Sequence, residues 1–164
     1  MSRKLNLKAV IVSGLVAGIV FMMSEMALVA TIGGQSPWGP PRMIAAMAMG
    51  KDVLPPPATF NLSIMMVAMM IHFITSIILA AILGGIISYR RMGLKTALVT
   101  GVGFGLLVYI VNFYLMTGAF PWFAMARGGI AIFSHLMFGL VLGWIYHAMA
   151  DPAAQTREEA LQDK

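Results

Sequence analysis

Apolar residues run almost unbroken through four stretches of the chain, near 9–32, 62–89, 97–117 and 128–149, while polar residues and prolines gather between them. Each stretch is long enough to cross roughly 30 Å of hydrocarbon as an α-helix, which takes about 20 residues. The pattern predicts an all-α membrane protein of four transmembrane helices, with residues 1–150 as a single domain. The tail, 151–164, opens on Asp151-Pro152, turns polar and net acidic, and reads as a solvated end.

The pattern also repeats itself. Laid over the first span without a gap, the third pairs Arg3-Lys4-Leu5-Asn6-Leu7-Lys8 with Arg90-Arg91-Met92-Gly93-Leu94-Lys95, then Gly14 with Gly101, Gly18 with Gly105 and Glu25 with Asn112. Pro37-Trp38 followed by Arg42 recurs as Pro121-Trp122 followed by Arg127, and Ala68 to His72 recurs as Ala131 to His135. The expected arrangement is two tandem helix hairpins, 1–89 and 90–150. Both halves start on the same side, so the repeat is parallel and equivalent residues share a depth. Only the loop at 33–60 is longer in the first half. Its prolines bar a continuous helix, but Arg42 to Met49 could form a short amphipathic helix at the interface. Trp38 and Trp122 read as interfacial anchors beside Arg42 and Arg127.

Composition agrees with lipid as the solvent. Hydrophobic residues make up 60% of the chain and charged residues 10%, against about a quarter charged in soluble proteins. The net charge of +5 does not point to nucleic acid, because the basic residues cap spans instead of interleaving with aromatics. They cluster at Arg3, Lys4 and Lys8 and at Arg90, Arg91 and Lys95, and are sparse around Arg42, Lys51 and Arg127. The positive-inside rule therefore places both termini and the middle loop in the cytoplasm. The first span is long for a signal-peptide core, and its pairing with the third makes it half of a repeat, so cleavage after Ala30 is not expected. The absence of cysteine closes disulfide and thiol chemistry.

Within the spans, polar residues fall on ridges of small residues, where helices in lipid pack closely. Gly14, Gly18 and Glu25 share one helix face, as do Gly101, Gly105 and Asn112. His72 heads Ser76, Ala80 and Gly84, and His135 heads Gly139 and Gly143. All should look into the bundle. Glu25 is the sole carboxylate within a span, and a charge there costs at least a few kcal/mol. It is therefore neutral, or paired with His72, His135, Arg42 or Arg127, and such an acid beside histidines suits either structural hydrogen bonding or proton handling. Two equivalent histidines also suit bis-histidine haem b. Met66 and Met70, with Met23 and Met26, could join His72 as soft ligands for copper, although methionine is also ordinary filler. No nucleotide-binding glycine loop, HExxH or Ser/His/Asp order gives support to an enzyme.

Gly14-Leu15-Val16-Ala17-Gly18, Pro40-Pro41-Arg42, His72 with Ser76-Ile77, Leu115-Met116, Pro121-Trp122 and Ser134-His135-Leu136 together resemble the YagU-type family of small bacterial inner-membrane proteins, over nearly all of the chain except the tail. The resemblance implies a four-span protein of the bacterial inner (cytoplasmic) membrane with a part in acid tolerance, and supplies no catalytic residue. The leading functional expectation is a non-catalytic accessory subunit or scaffold, a homo-oligomer or part of a larger membrane complex, whose small-residue ridges meet partner helices. A haem- or copper-binding redox protein at His72 and His135, and proton or small-ion passage involving Glu25, are the alternatives.

Overall fold

The computed structural model describes residues 5–150; Arg3 and Lys4 of the first basic cluster and the tail from 151 lie outside the described residues. The described residues contain helices and no strand. In order they are α1 (Leu7–Thr31), α2 (Gly39–Met49), α3 (Leu62–Arg90), α4 (Leu94–Ile110) and α5 (Gly129–Ala150), with short 3-10 turns at Lys51–Val53, Met116–Gly118 and Pro121–Ala126. Four segments are long and apolar enough to cross a membrane: α1, α3, Leu94–Gly118 and α5. One end of the bundle carries α2 and the 116–128 connection and is called the loop end. The other, the terminal end, carries Leu7, Ala150 and the α3–α4 turn.

Local chemistry sets the boundaries. Asn6 and Asn61 precede α1 and α3 in extended conformation and accept from the Ala9 and Ile64 amides, each at 3.0 Å, satisfying donors that the first helical turn leaves open. Pro40 and Pro41 occupy the first turn of α2, where a missing N–H is harmless. The short helix expected from Arg42 thus begins at Gly39, three residues earlier. α3 ends on Arg91 in the left-handed region (φ 49°), with its amide on the Ile87 and Ser88 carbonyls, and the chain reverses directly into α4.

The third span departs from the uninterrupted helix expected over 97–117. After Ile110 the backbone widens into a π-helical turn, Val111–Leu115, a local insertion frequent at functional sites. Asn112 sits in that turn.

Glycine determines which helices touch. α4 lies against α5 so closely that a Cβ on Gly101 would strike the Gly139 carbonyl, and one on Gly105 the His135 carbonyl. α1 meets α3 with Gly14 on the Ser76 carbonyl and the Ile77 Cα, and Gly18 on the Ser76 hydroxyl and the His72 ring. α5 also packs along α1, whereas α3 and α4 barely meet. The glycine ridges, Gly14, Gly18, Gly101, Gly105, Gly139 and Gly143, are therefore used up inside the chain. This corrects the expectation that they lie open for partner helices. The faces left outward are bulky instead: Met66, Met70, Ile74, Ile78, Ile82 and Ile86 form one exposed row along α3.

Towards the terminal end the bundle is closed. Leu83, Leu142, Ala80 and Tyr146 are fully buried with Phe138 and Ile87. The Tyr146 ring presses on Gly84, and its hydroxyl shares a 2.7 Å hydrogen bond with Ser88.

A cavity with a polar floor at the loop end

Where α3 and α4 part, the loop half of the bundle encloses a cavity of about 620 Å³. α1 supplies Phe21, Glu25 and Val29 to its wall, α3 Ile71, His72 and Thr75, the α4 segment Val108 and Asn112, and α5 Ala131, His135 and Phe138. α2 roofs it with Arg42, Met43 and Met47. Two contacts hold the roof. The Trp122 indole donates to the Met43 carbonyl at 2.9 Å, and the Arg42 guanidinium donates to the Val53 carbonyl at 2.7 Å and twice to the Thr59 carbonyl, at 2.9 and 3.2 Å. The Ser36 hydroxyl and the Ala58 carbonyl close the ends of this long loop. Beside the roof, Tyr109, Phe113 and Phe123 pack with Ala131 into a buried aromatic cluster against Met43, Met47 and Trp122.

The expected polar residues meet on the floor. His72 is bonded through Nε2 to the Gly18 carbonyl at 2.9 Å, so that nitrogen carries the hydrogen and donates. In His135, Nδ1 lies 2.7 Å from the Ala131 carbonyl and must donate. Its Nε2 is left as the acceptor for the Asn112 amide nitrogen at 3.2 Å. The π-helical turn gives Asn112 this position. Phe21 packs against both imidazoles, stacked on His72 at 5.5 Å between centroids and edge-on to His135 at 4.8 Å.

Glu25 is 6% exposed. Its Oε2 is buried with no hydrogen-bond partner, as is the Ser134 hydroxyl, which lies next to the carboxyl short of hydrogen-bond geometry. The pairing expected for Glu25 is not formed. Arg42 is engaged as above, and Arg127 donates to the Phe113 carbonyl at 2.7 Å and lies over the Tyr114 ring at 4.4 Å. His72 and His135 are bonded elsewhere.

Bis-histidine haem does not fit this arrangement. Axial ligation needs a free ring nitrogen on each histidine aimed at one iron, but His135 is hydrogen-bonded through both ring nitrogens and the Phe21 ring packs against both imidazoles. The copper set is not assembled either. Met66 and Met70 are 64% and 58% exposed, and Met23 is 68% exposed; they belong to outward rows, whereas His72 is buried. Among the described residues no group of three His, Cys, Asp or Glu side chains could hold a metal ion. Below the cavity, towards the terminal end, Leu83, Leu142 and Tyr146 are packed with no exposure.

Reasoning from sequence missed Phe21, Ser134 and the cavity itself. A lone phenylalanine in an apolar run carries no signal, and Ser134 was visible only as the neighbour of His135. Comparison with protein families, curated proteins and solved structures finds no match for the chain.

Proposed function

We propose that this protein is a non-catalytic membrane subunit that binds a small, largely apolar molecule from the bilayer in its loop-end cavity. One observation carries the reading: Glu25, which lines that cavity, has a buried Oε2 with no hydrogen-bond partner among the described residues. An orphaned buried polar group costs about 1–3 kcal/mol, and a ligand that hydrogen-bonds to it returns that energy on binding. The volume lies within the range of small-molecule sites, with apolar walls and a few convergent polar groups. A cavity closed at one end suits holding a molecule better than conducting an ion.

The test is a neutral probe of matching size, 1-naphthylmethanol, added to the detergent-solubilised full chain. It should raise the melting temperature, and Ile71→Trp, which fills the cavity from α3, should remove the rise while leaving the unliganded protein folded. A probe effect that survives Ile71→Trp, or none in the wild type, would sink the reading.

The same proposal places the chain in the bacterial inner membrane as two parallel-repeat hairpins with both termini cytoplasmic, in keeping with its resemblance to the YagU-type family. Matching contacts support the repeat: Gly14 meets the Ser76 carbonyl where Gly101 meets the Gly139 carbonyl, and Gly18 meets His72 where Gly105 meets the His135 backbone. The basic residues of the terminal end support the orientation. Assembly into a homo-oligomer or a larger complex would use the bulky outward rows, the glycine ridges being occupied.

A further inference from the structure

We propose that the molecule held here is a hydrophobic amine, its ammonium group against Glu25 and its apolar body in the gap between α3 and α4. The inference rests on the binding role proposed above and adds the chemical class of the ligand. Glu25 is a carboxyl-bearing side chain more than nine-tenths buried, with an oxygen that has no hydrogen-bond partner among the described residues. Among the described residues, each cavity-lining side chain able to carry positive charge is committed: Arg42 from α2 to the Val53 and Thr59 carbonyls, Arg127 to the Phe113 carbonyl and the Tyr114 ring, His72 from α3 to the Gly18 carbonyl, and His135 from α5 to Ala131 and Asn112. The protein supplies the acid of a buried ion pair, and the cavity lining offers it no free cation.

Two further features fit an ammonium ion. Phe21, one helical turn before Glu25 and lining the same cavity, offers a ring for cation–π contact. The Ser134 hydroxyl, beside the Glu25 carboxyl although outside the cavity lining and without a hydrogen-bond partner among the described residues, can donate to the carboxylate that pairs with the ammonium. The rest of the wall, including Val29, Ile71, Val108 and Phe138, demands an apolar body. The side on which α3 and α4 barely meet faces the bilayer, where such a molecule is concentrated.

The experiment compares three molecules of nearly one shape on the full-length protein in detergent micelles, with empty micelles as blank: 1-naphthylmethylamine, 1-naphthylmethanol and 1-naphthoic acid, by equilibrium dialysis. The amine should bind at least about tenfold more tightly than the alcohol, as one charge-assisted hydrogen bond allows, and the acid more weakly than either. Glu25→Gln should bring the amine down to the level of the alcohol while leaving the alcohol nearly unchanged, and Glu25→Asp, which keeps the charge, should retain a preference for the amine. Equal binding of amine and alcohol by the wild type, or tightest binding of the acid, would overturn the amine while leaving the cavity a binding site. Binding of none of the three would overturn both. Should Glu25→Gln fail to fold, the wild-type ranking decides alone.

Discussion

A single hydrogen atom in place of a methyl group sets the distance between helices here. Gly103 and Gly105 stand two residues apart on α4, yet a Cβ on Gly103 meets nothing within 4 Å while one on Gly105 runs into the His135 backbone. Gly103→Ala should therefore be neutral or stabilise the protein by up to about 1 kcal/mol through helix propensity. Gly105→Ala should destabilise it by roughly 1–3 kcal/mol, the range for forcing atoms into a packed interface, and should disturb the Asn112–His135 pair through the His135 backbone that it strikes. Melting of the two variants in the same detergent checks the contrast; equal melting temperatures would show that α4 and α5 are less tightly apposed than the glycines imply. The close approach was legible in the sequence, because glycines at i and i+4 opposite glycines at i and i+4 leave little else to pack. The roles of the histidines were legible only in part. Their burial followed from the ridges, but which nitrogen each would use depended on Gly18, Ala131 and Asn112 lying within reach, and the fate of the haem reading turned on one phenylalanine ring.

At the scale of elements, the spans were readable because hydropathy over 20 residues is a strong signal, and α2 because its Met- and Ala-rich stretch lies between prolines and Gly50. The π-helical turn was not, since the residues of Val111-Asn112-Phe113-Tyr114-Leu115 continue the apolar run and carry no helix-breaking signal. The roof was equally hidden, for the contacts that tie α2 down come from backbone carbonyls with no sequence signature. Arg42 holds two of them in a fork that lysine cannot reproduce. Arg42→Lys should leave the membrane spans intact but loosen residues 51–59, so that trypsin cuts after Lys51 roughly tenfold faster, the factor expected for about 1.4 kcal/mol lost from three guanidinium hydrogen bonds. Limited proteolysis followed by mass spectrometry reads this directly. Unchanged cleavage would mean that the Ser36 and Trp122 contacts hold the loop without it.

For the whole molecule, everything said of access and ligand depends on which way the bundle sits. The roof of the cavity faces the outside if the terminal end, with Lys8, Arg90, Arg91 and Lys95, faces the cytoplasm. Because the chain contains no cysteine, single cysteines can be introduced without removing any. Ala48 at the end of α2, Ala119 between the 3-10 turns and Gly93 in the α3–α4 turn are all exposed, and cysteine at each should react with a soluble maleimide. Ala48→Cys and Ala119→Cys should label in spheroplasts with a membrane-impermeant reagent, and Gly93→Cys only after permeabilisation. Joint labelling of the first two also bears on the duplication, because two hairpins in parallel repeat must put their long and short connections on one side. Were Gly93→Cys the residue to label first, the roof of the cavity would face the cytoplasm and the positive-inside reading of the chain would be reversed. Were Ala48→Cys and Ala119→Cys to report opposite sides, the two-hairpin arrangement itself would fail, and with it the reason that Glu25, Asn112 and both histidines converge at one level.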